Sequence, residues 1–190
     1  MAAAATRQGF TLIELMISLV IAAVLLLIGL PSLAEFLRNS QIRSVTESLV
    51  NGLRVARTEA TSRNLQVRFT LLGSGSDWAG WSVDQVSPAQ NIQSYSRSEG
   101  GTSTAVTPTA GTSSVTFNGV GRICPKNDAV ICTPAVATDN IQQLDISSTA
   151  TSGTSRSLRI VLPNLDTATQ GIRVCDPNMP VTVPPDARAC

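Results

Sequence analysis

The apolar positions of this chain fall into three regimes. From Phe10 to Leu30 they form an almost unbroken run, about 31 Å long as a helix and enough to span a bilayer. From Leu33 onward they recur every three or four residues, through Phe36, Leu37, Ile42, Val45, Leu49, Leu53, Ala56 and Ala60. That spacing lays one apolar stripe along an amphipathic helix. Arg38, Arg43, Arg54, Arg57 and Arg63 interleave with Glu35, Glu47 and Glu59 as a solvated face. After Asn64 the period falls to two. Leu65, Val67, Phe69 and Leu71 alternate with polar neighbours and predict a half-buried strand. A turn at Gly73-Ser74-Gly75-Ser76-Asp77 leads into a returning strand over Trp78 to Asp84.

Further strands are expected at Ile92 to Ser96, Ser114 to Phe117, Ile141 to Ile146, Ser157 to Leu162 and Gly171 to Cys175. Residues 98–113 and 148–155 are rich in Ser, Thr and Gly and read as loops. A helix followed by a run of strands gives an α+β module, one long helix packed against antiparallel sheet. The chain thus divides into a spanning helix over 10–30, its amphipathic continuation over 31–64 and a β-rich head over 65–190.

Two residues interrupt the apolar run. Pro31 removes a backbone donor and is expected to bend or loosen the helix near Gly29. Glu14 places a carboxylate where a helix in hydrocarbon should have none, which costs a few kcal/mol unless the charge is paired. Cleavage between Gly9 and Phe10 would create an N-terminal amine four residues from Glu14. Arg7 is the only charge before the run, so the first residues are expected on the cytoplasmic side and the head outside. A conventional signal peptide cut near Ser32-Leu33-Ala34 is the main rival. Glu14, the length of the run and the helical pattern continuing past that cut all speak against it. A plain single-span anchor explains the length but not the sequence Gly-Phe-Thr-Leu-Ile-Glu.

Composition narrows the chemistry. The chain has no histidine, which removes the commonest general base and the commonest metal ligand. Its only lysine is Lys126. Catalysis therefore has little support, and no cofactor or metal is expected. A net charge of +1 points to no particular partner. The four cysteines, Cys124, Cys132, Cys175 and Cys190, are spaced unlike a zinc site, and in an exported chain they suggest two disulfides. Three pairings are open. Cys124–Cys132 and Cys175–Cys190 are preferred because each closes a short local loop.

The segment Gly9-Phe10-Thr11-Leu12-Ile13-Glu14 resembles the processing motif of type IV pilins and type II secretion pseudopilins. The resemblance implies a leader over 1–9, cut after Gly9 by a prepilin peptidase that then methylates Phe10. It implies that Glu14 pairs with a neighbouring subunit's amine during assembly, and Pro31 falls where many pilins bend. Ala56-Arg57-Thr58-Glu59-Ala60, the Trp78-to-Trp81 hairpin and Phe117-Asn118-Gly119 resemble the GspH/FimT group of minor pilins and pseudopilins. The ending, Arg173-Val174-Cys175-Asp176-Pro177 leading to Asp186-Ala187-Arg188-Ala189-Cys190, does so too. The implied protein is an inner-membrane subunit with its head in the periplasm. It would help initiate or cap a pilus or secretion pseudopilus among other major and minor pilins.

A second role implied by the same resemblance is capture of double-stranded DNA during natural transformation. Some FimT-type subunits use Gly-Arg-x-Arg just before a cysteine. Here the aligned residues are Gln170-Gly171-Ile172-Arg173, so one arginine of the pair is missing. Arg188 and Arg122 are the other candidates, with Arg156 and Arg159 as contributors. A few arginines on a loop can hold phosphates non-specifically, with affinity that falls steeply with salt. The competing reading pairs Arg173 and Arg188 with Asp176 and Asp186, so that they serve only the loop.

Overall fold

The computed structural model describes residues 10–108, 112–124, 140–150, 156–162, 171–180 and 188–190; the side chains of residues 28, 30 and 31 are not described. The chain forms two compact units, Met1–Leu37 and Arg38–Cys190.

A single helix, α1 (Leu12–Arg63), supplies the first unit and opens the second. In the first unit most of its described side chains are apolar and exposed; Leu12, Met16, Leu19, Val20 and Leu27 are each more than half accessible. A helix that is apolar all round has no stable place in water by itself. Among the described residues no single helix is long and apolar enough to cross a membrane, and the segments Leu12–Leu27 and Ser32–Arg63 meet that test only as a pair. Pro31 lies within α1. Close to it, the Ser32 hydroxyl donates to the Gly29 carbonyl at 2.9 Å.

In the second unit the expected stripe is the core. Ile42, Val45, Leu49, Leu53, Ala56 and Ala60 are all buried. Leu33, Phe36 and Leu37 continue the spacing but stay exposed, because they lie in the first unit, where nothing in a single chain covers them.

Among the described residues eight strands follow: β1 (Val67–Leu72), β2 (Gly80–Gln85), β3 (Gln90–Ser96), β4 (Thr104–Pro108), β5 (Ser114–Phe117), β6 (Gln143–Ser148), β7 (Leu158–Val161) and β8 (Arg173–Cys175). They form two antiparallel sheets, ordered β3-β2-β1-β5 and β4-β6-β7-β8. Inward positions of both sheets join the helix in one core: Phe69, Trp81, Val83 and Val115 from the first, Val106, Leu144, Ile146 and Ile160 from the second.

Two sequence expectations need correction. The stretch 98–113 is not simply a loop, since it holds a short 3-10 turn, Arg97–Glu99, and strand β4. β4 was hidden because Val106 is its only large apolar residue. Its stability comes from distant partners: β6, and Gly75, which exchanges two backbone bonds with Val106 at 2.7 and 3.0 Å. The returning strand of the first hairpin also starts later than expected, at Gly80 instead of Trp78. Gly80 has φ of 143°, and a Cβ there would collide with the Tyr95 carbonyl, so only glycine lets β2 enter beside β3. Trp78 is freed to plug the loop, with its indole N–H donating to the Thr104 carbonyl at 2.9 Å.

Sequence reasoning missed what holds that loop together. The Arg97 guanidinium donates to the carbonyls of Gly101 (3.1 Å), Thr102 (2.7 Å) and Ser76, and lies 6.0 Å from the centre of the Trp78 ring. One arginine thus ties the 73–79 turn to the start of β4. Its only sequence signal is a lone basic residue in a Ser-rich stretch.

Candidate assembly site and arginine surfaces

The first turn of α1 builds the site around Glu14. Thr11 precedes the helix, and its hydroxyl oxygen accepts the Glu14 backbone N–H at 3.3 Å. This is one half of a Thr-x-x-Glu capping box. The reciprocal bond from the Glu14 side chain is absent among the described residues, and the exposed carboxylate forms no ion pair there. Phe10 sits immediately before, with 83% of its surface accessible. The cap therefore orders the first turn without consuming the carboxylate. Gly9 lies outside the described residues.

The tail is held by a disulfide between Cys175 and Cys190, with Cα atoms 5.2 Å apart. The Asp176 N–H donates to the Arg188 carbonyl at 2.7 Å, and Asp176 bridges Ala189 in parallel. The C-terminal residues thereby pair with the chain just past the short edge strand β8. Cys124 is also disulfide-bonded. Its expected partner Cys132, like Lys126, lies outside the described residues. The Cys175–Cys190 bond closes a 15-residue separation, which corresponds to about 3 kcal/mol of chain entropy. Replacing both cysteines with serine is expected to remove about that much stability from the head, read as a lower urea midpoint. An unchanged midpoint would mean that the tail holds without the bond.

The candidate arginines do not all converge: the Cys175–Cys190 bond brings the Arg188 backbone against Asp176, three residues from Arg173, whereas Arg122 lies elsewhere. Arg173 on β8 is exposed, and no ion pair joins it to Asp176 among the described residues. The expected Arg173–Asp176 pairing is thus not formed. Asp186 lies outside the described residues. Arg188 belongs to the disulfide end. That end meets α1 near its entry to the head: Asn178 donates to Ser157 at 2.8 Å, and the Arg156 N–H donates to Asn39 at 3.2 Å. Arg122 is exposed on the turn after β5, whose Gly121 sits against Arg57 and Thr61. Asn39 and Thr61 are about 33 Å apart along the helix. Arg122 is therefore remote from the Arg188 end.

Arg159 is committed elsewhere. It lies directly opposite Asp145 in the β6–β7 register and grips both carboxylate oxygens, at 2.6 and 3.1 Å. The hydrogen bond to Asp145 raises the Arg159 pKa; burial lowers it, and Asp145's charge raises it further. The Arg159 guanidinium, its side chain 30% exposed, is thus engaged by Asp145. Among the described residues no three His, Cys, Asp or Glu side chains are placed to hold a metal.

An apolar N-terminal helix, a capped first turn whose glutamate has no ion pair among the described residues and a disulfide-closed β head are together the features of a pilin-type structural subunit. The family model described as type II transport protein GspH matches residues 45–166, more than half of the chain. The chain belongs to this GspH/FimT-type family of minor pilins and pseudopilins, which is structural and not enzymatic. The prokaryotic N-terminal methylation motif matches residues 5–30, which with the family implies a membrane-anchored subunit of the inner membrane. Among solved structures the chain is similar to the type IV minor pilin FimU of Pseudomonas aeruginosa. In the P65 crystal form the identity is 16% and the TM-score 0.42, over 62% of this chain and 82% of that one. In the P21 form the identity is 17% and the TM-score 0.44, over 66% and 86%. No curated protein matches the chain.

Proposed function

We propose that this protein is a minor subunit that helps initiate or cap assembly of a type IV pilus or type II secretion pseudopilus. The prepilin peptidase cuts after Gly9 and methylates Phe10. The helix over 10–30 then holds the subunit in the inner membrane with its head in the periplasm. On assembly the apolar side chains leave lipid for the helices of other subunits, and Glu14 meets an incoming amine. The observation that carries this reading is the Glu14 carboxylate, which forms no ion pair among the described residues and stands in the first turn of a helix whose neighbouring side chains are apolar and exposed. Pro31 would loosen the helix so that it can adapt to its neighbours.

The alternative is a DNA-binding minor pilin acting in uptake, for which the supporting observation is Arg173, exposed and without an ion pair among the described residues. Deleting the gene separates the two. The assembly role predicts loss of fibres or of secretion, restored by the wild-type copy. Intact fibres with lost DNA uptake would overturn it in favour of DNA capture.

A further inference from the structure

The chain contains two Asn-Gly pairs, Asn51-Gly52 and Asn118-Gly119, and the fold treats them oppositely. Asn-Gly is the dipeptide at which a backbone nitrogen most easily reaches the preceding side-chain amide, because glycine puts no Cβ in the way. Asn51 and Gly52 lie inside α1, where the Gly52 N–H belongs to the helical ladder. A Cβ on Gly52 would lie 3.0 Å from Phe69 and from Trp81, so this segment is locked in the core.

Asn118-Gly119 occupies the turn after β5. The Asn118 side-chain oxygen accepts two backbone N–H groups, from Val120 at 3.1 Å and from Arg122 at 2.9 Å. The turn is closed by Asn118 N–H to the Arg122 carbonyl at 2.9 Å and Gly121 N–H to the Asn118 carbonyl at 2.8 Å. The Gly119 N–H makes no hydrogen bond among the described residues. A nitrogen without a hydrogen bond among the described residues therefore adjoins an amide carbonyl polarised by two donors, in a turn where a Cβ on Gly119 would collide with the Asn64 side-chain oxygen. These donors form a nest of the kind that binds anions. They favour negative charge on that oxygen as an attacking atom adds to its carbon, the logic of an oxyanion hole.

We propose that Asn118-Gly119 is a self-modification site that converts to an acid in the folded protein. The Gly119 nitrogen, losing its proton to solvent base, bonds to the Asn118 side-chain carbon. The bond to the amide nitrogen breaks, and ammonia leaves after taking up a proton. The resulting five-membered imide adds one water. Opening at the side-chain carbon gives aspartate; opening at the backbone carbon gives isoaspartate. No electron transfer or cofactor is involved. Aspartate places a full negative charge in the nest beside Arg122 and Arg57, where the donors and guanidinium groups stabilise it. Isoaspartate lengthens the backbone and breaks the turn that carries the Phe117–Ile123 bridge.

The test is peptide mapping by mass spectrometry of the full chain in detergent. The folded and the urea-unfolded protein are aged in parallel at mildly alkaline pH. In the unfolded chain both pairs should convert at similar rates. In the folded chain Asn118 should keep a comparable rate, while Asn51 slows roughly a thousandfold, because its segment opens only with the core. A folded-state rate at Asn118 as low as that at Asn51 would overturn the proposal, as would equal rapid conversion at both, which reports unfolding. Val120→Pro removes one of the two donors and should slow Asn118 several-fold. An unchanged rate in that variant would refute the polarising role of the nest.

Discussion

Glu14→Ala is expected to leave the chain processed to its mature size but largely missing from purified filaments. Glu14 closes the motif four residues beyond Phe10 and does not flank the cut itself, so the peptidase should still find Gly9 and Phe10. The change is in assembly. In a bundle of apolar helices an incoming amine without a carboxylate partner is a buried uncompensated charge, and removing one member of such a pair destabilises by about 3 kcal/mol or more. That is roughly a hundredfold in incorporation. Quantifying mature protein in membranes and in sheared filaments separates the steps. The capping geometry supplies a control, because the Glu14 backbone bond to Thr11 survives the substitution. Glu14→Gln keeps the side-chain shape and lacks only the charge. Normal incorporation of either variant would remove the charge-pairing role.

The second large effect belongs to the head. Trp81 is buried at the centre of a stack, with its ring centroid 5.7 Å from Phe69 and 5.9 Å from Tyr95. Its N–H donates to Ser48 of the helix at 3.0 Å. Trp81→Ala leaves a large cavity where helix and sheet meet and is expected to cost about 3–5 kcal/mol. A head of ordinary stability, about 5–15 kcal/mol, loses a third or more of it. Urea titration of the Arg38–Cys190 unit followed by circular dichroism reads the change. Trp81→Phe should fall well short of Trp81→Ala, since it retains the ring contacts and gives up the Ser48 bond. Equal losses would mean that the hydrogen bond, and not the ring, carries the stability. Burial and then the charge of Glu99 raise the Tyr95 pKa above its ordinary value. The part of stability linked to Tyr95 is therefore fully present below about pH 10 and declines only above it.

The long helix and most strands were legible in the sequence because their signals are local. The stripe from Ile42 to Ala60 and the alternation Val67, Phe69, Leu71 each fit one window of chain. β4 was not legible because a strand with one large apolar residue is defined by what pairs with it. The division into two sheets was hidden for the same reason. At the candidate site, Gly9, Phe10 and Glu14 could be read because their chemistry lies in six consecutive residues. The arginines could not be sorted by sequence. Whether Arg159 is free depends on a carboxylate on the neighbouring strand, and whether Arg122 and Arg188 cooperate depends on where the turn after β5 meets the helix. Arg97 stayed invisible because its partners are backbone carbonyls, which any sequence can supply.

The order of the strands also sets a timetable. β1 pairs with β2 and β2 with β3, each with its immediate successor in the chain, so that three of the four strands of the first sheet can close over short loops soon after the head emerges. β5 must cross back to β1, and β4 must wait for β6, whose residues arrive some forty positions later. The bond to Cys190 can form only once that residue, 15 positions after Cys175, has arrived. A nascent head would thus present its aromatic hairpin and helix before its second sheet exists. During that interval the buried faces of Val106 and Leu144 have no cover, which makes the unfinished second sheet the part most in need of a chaperone's protection.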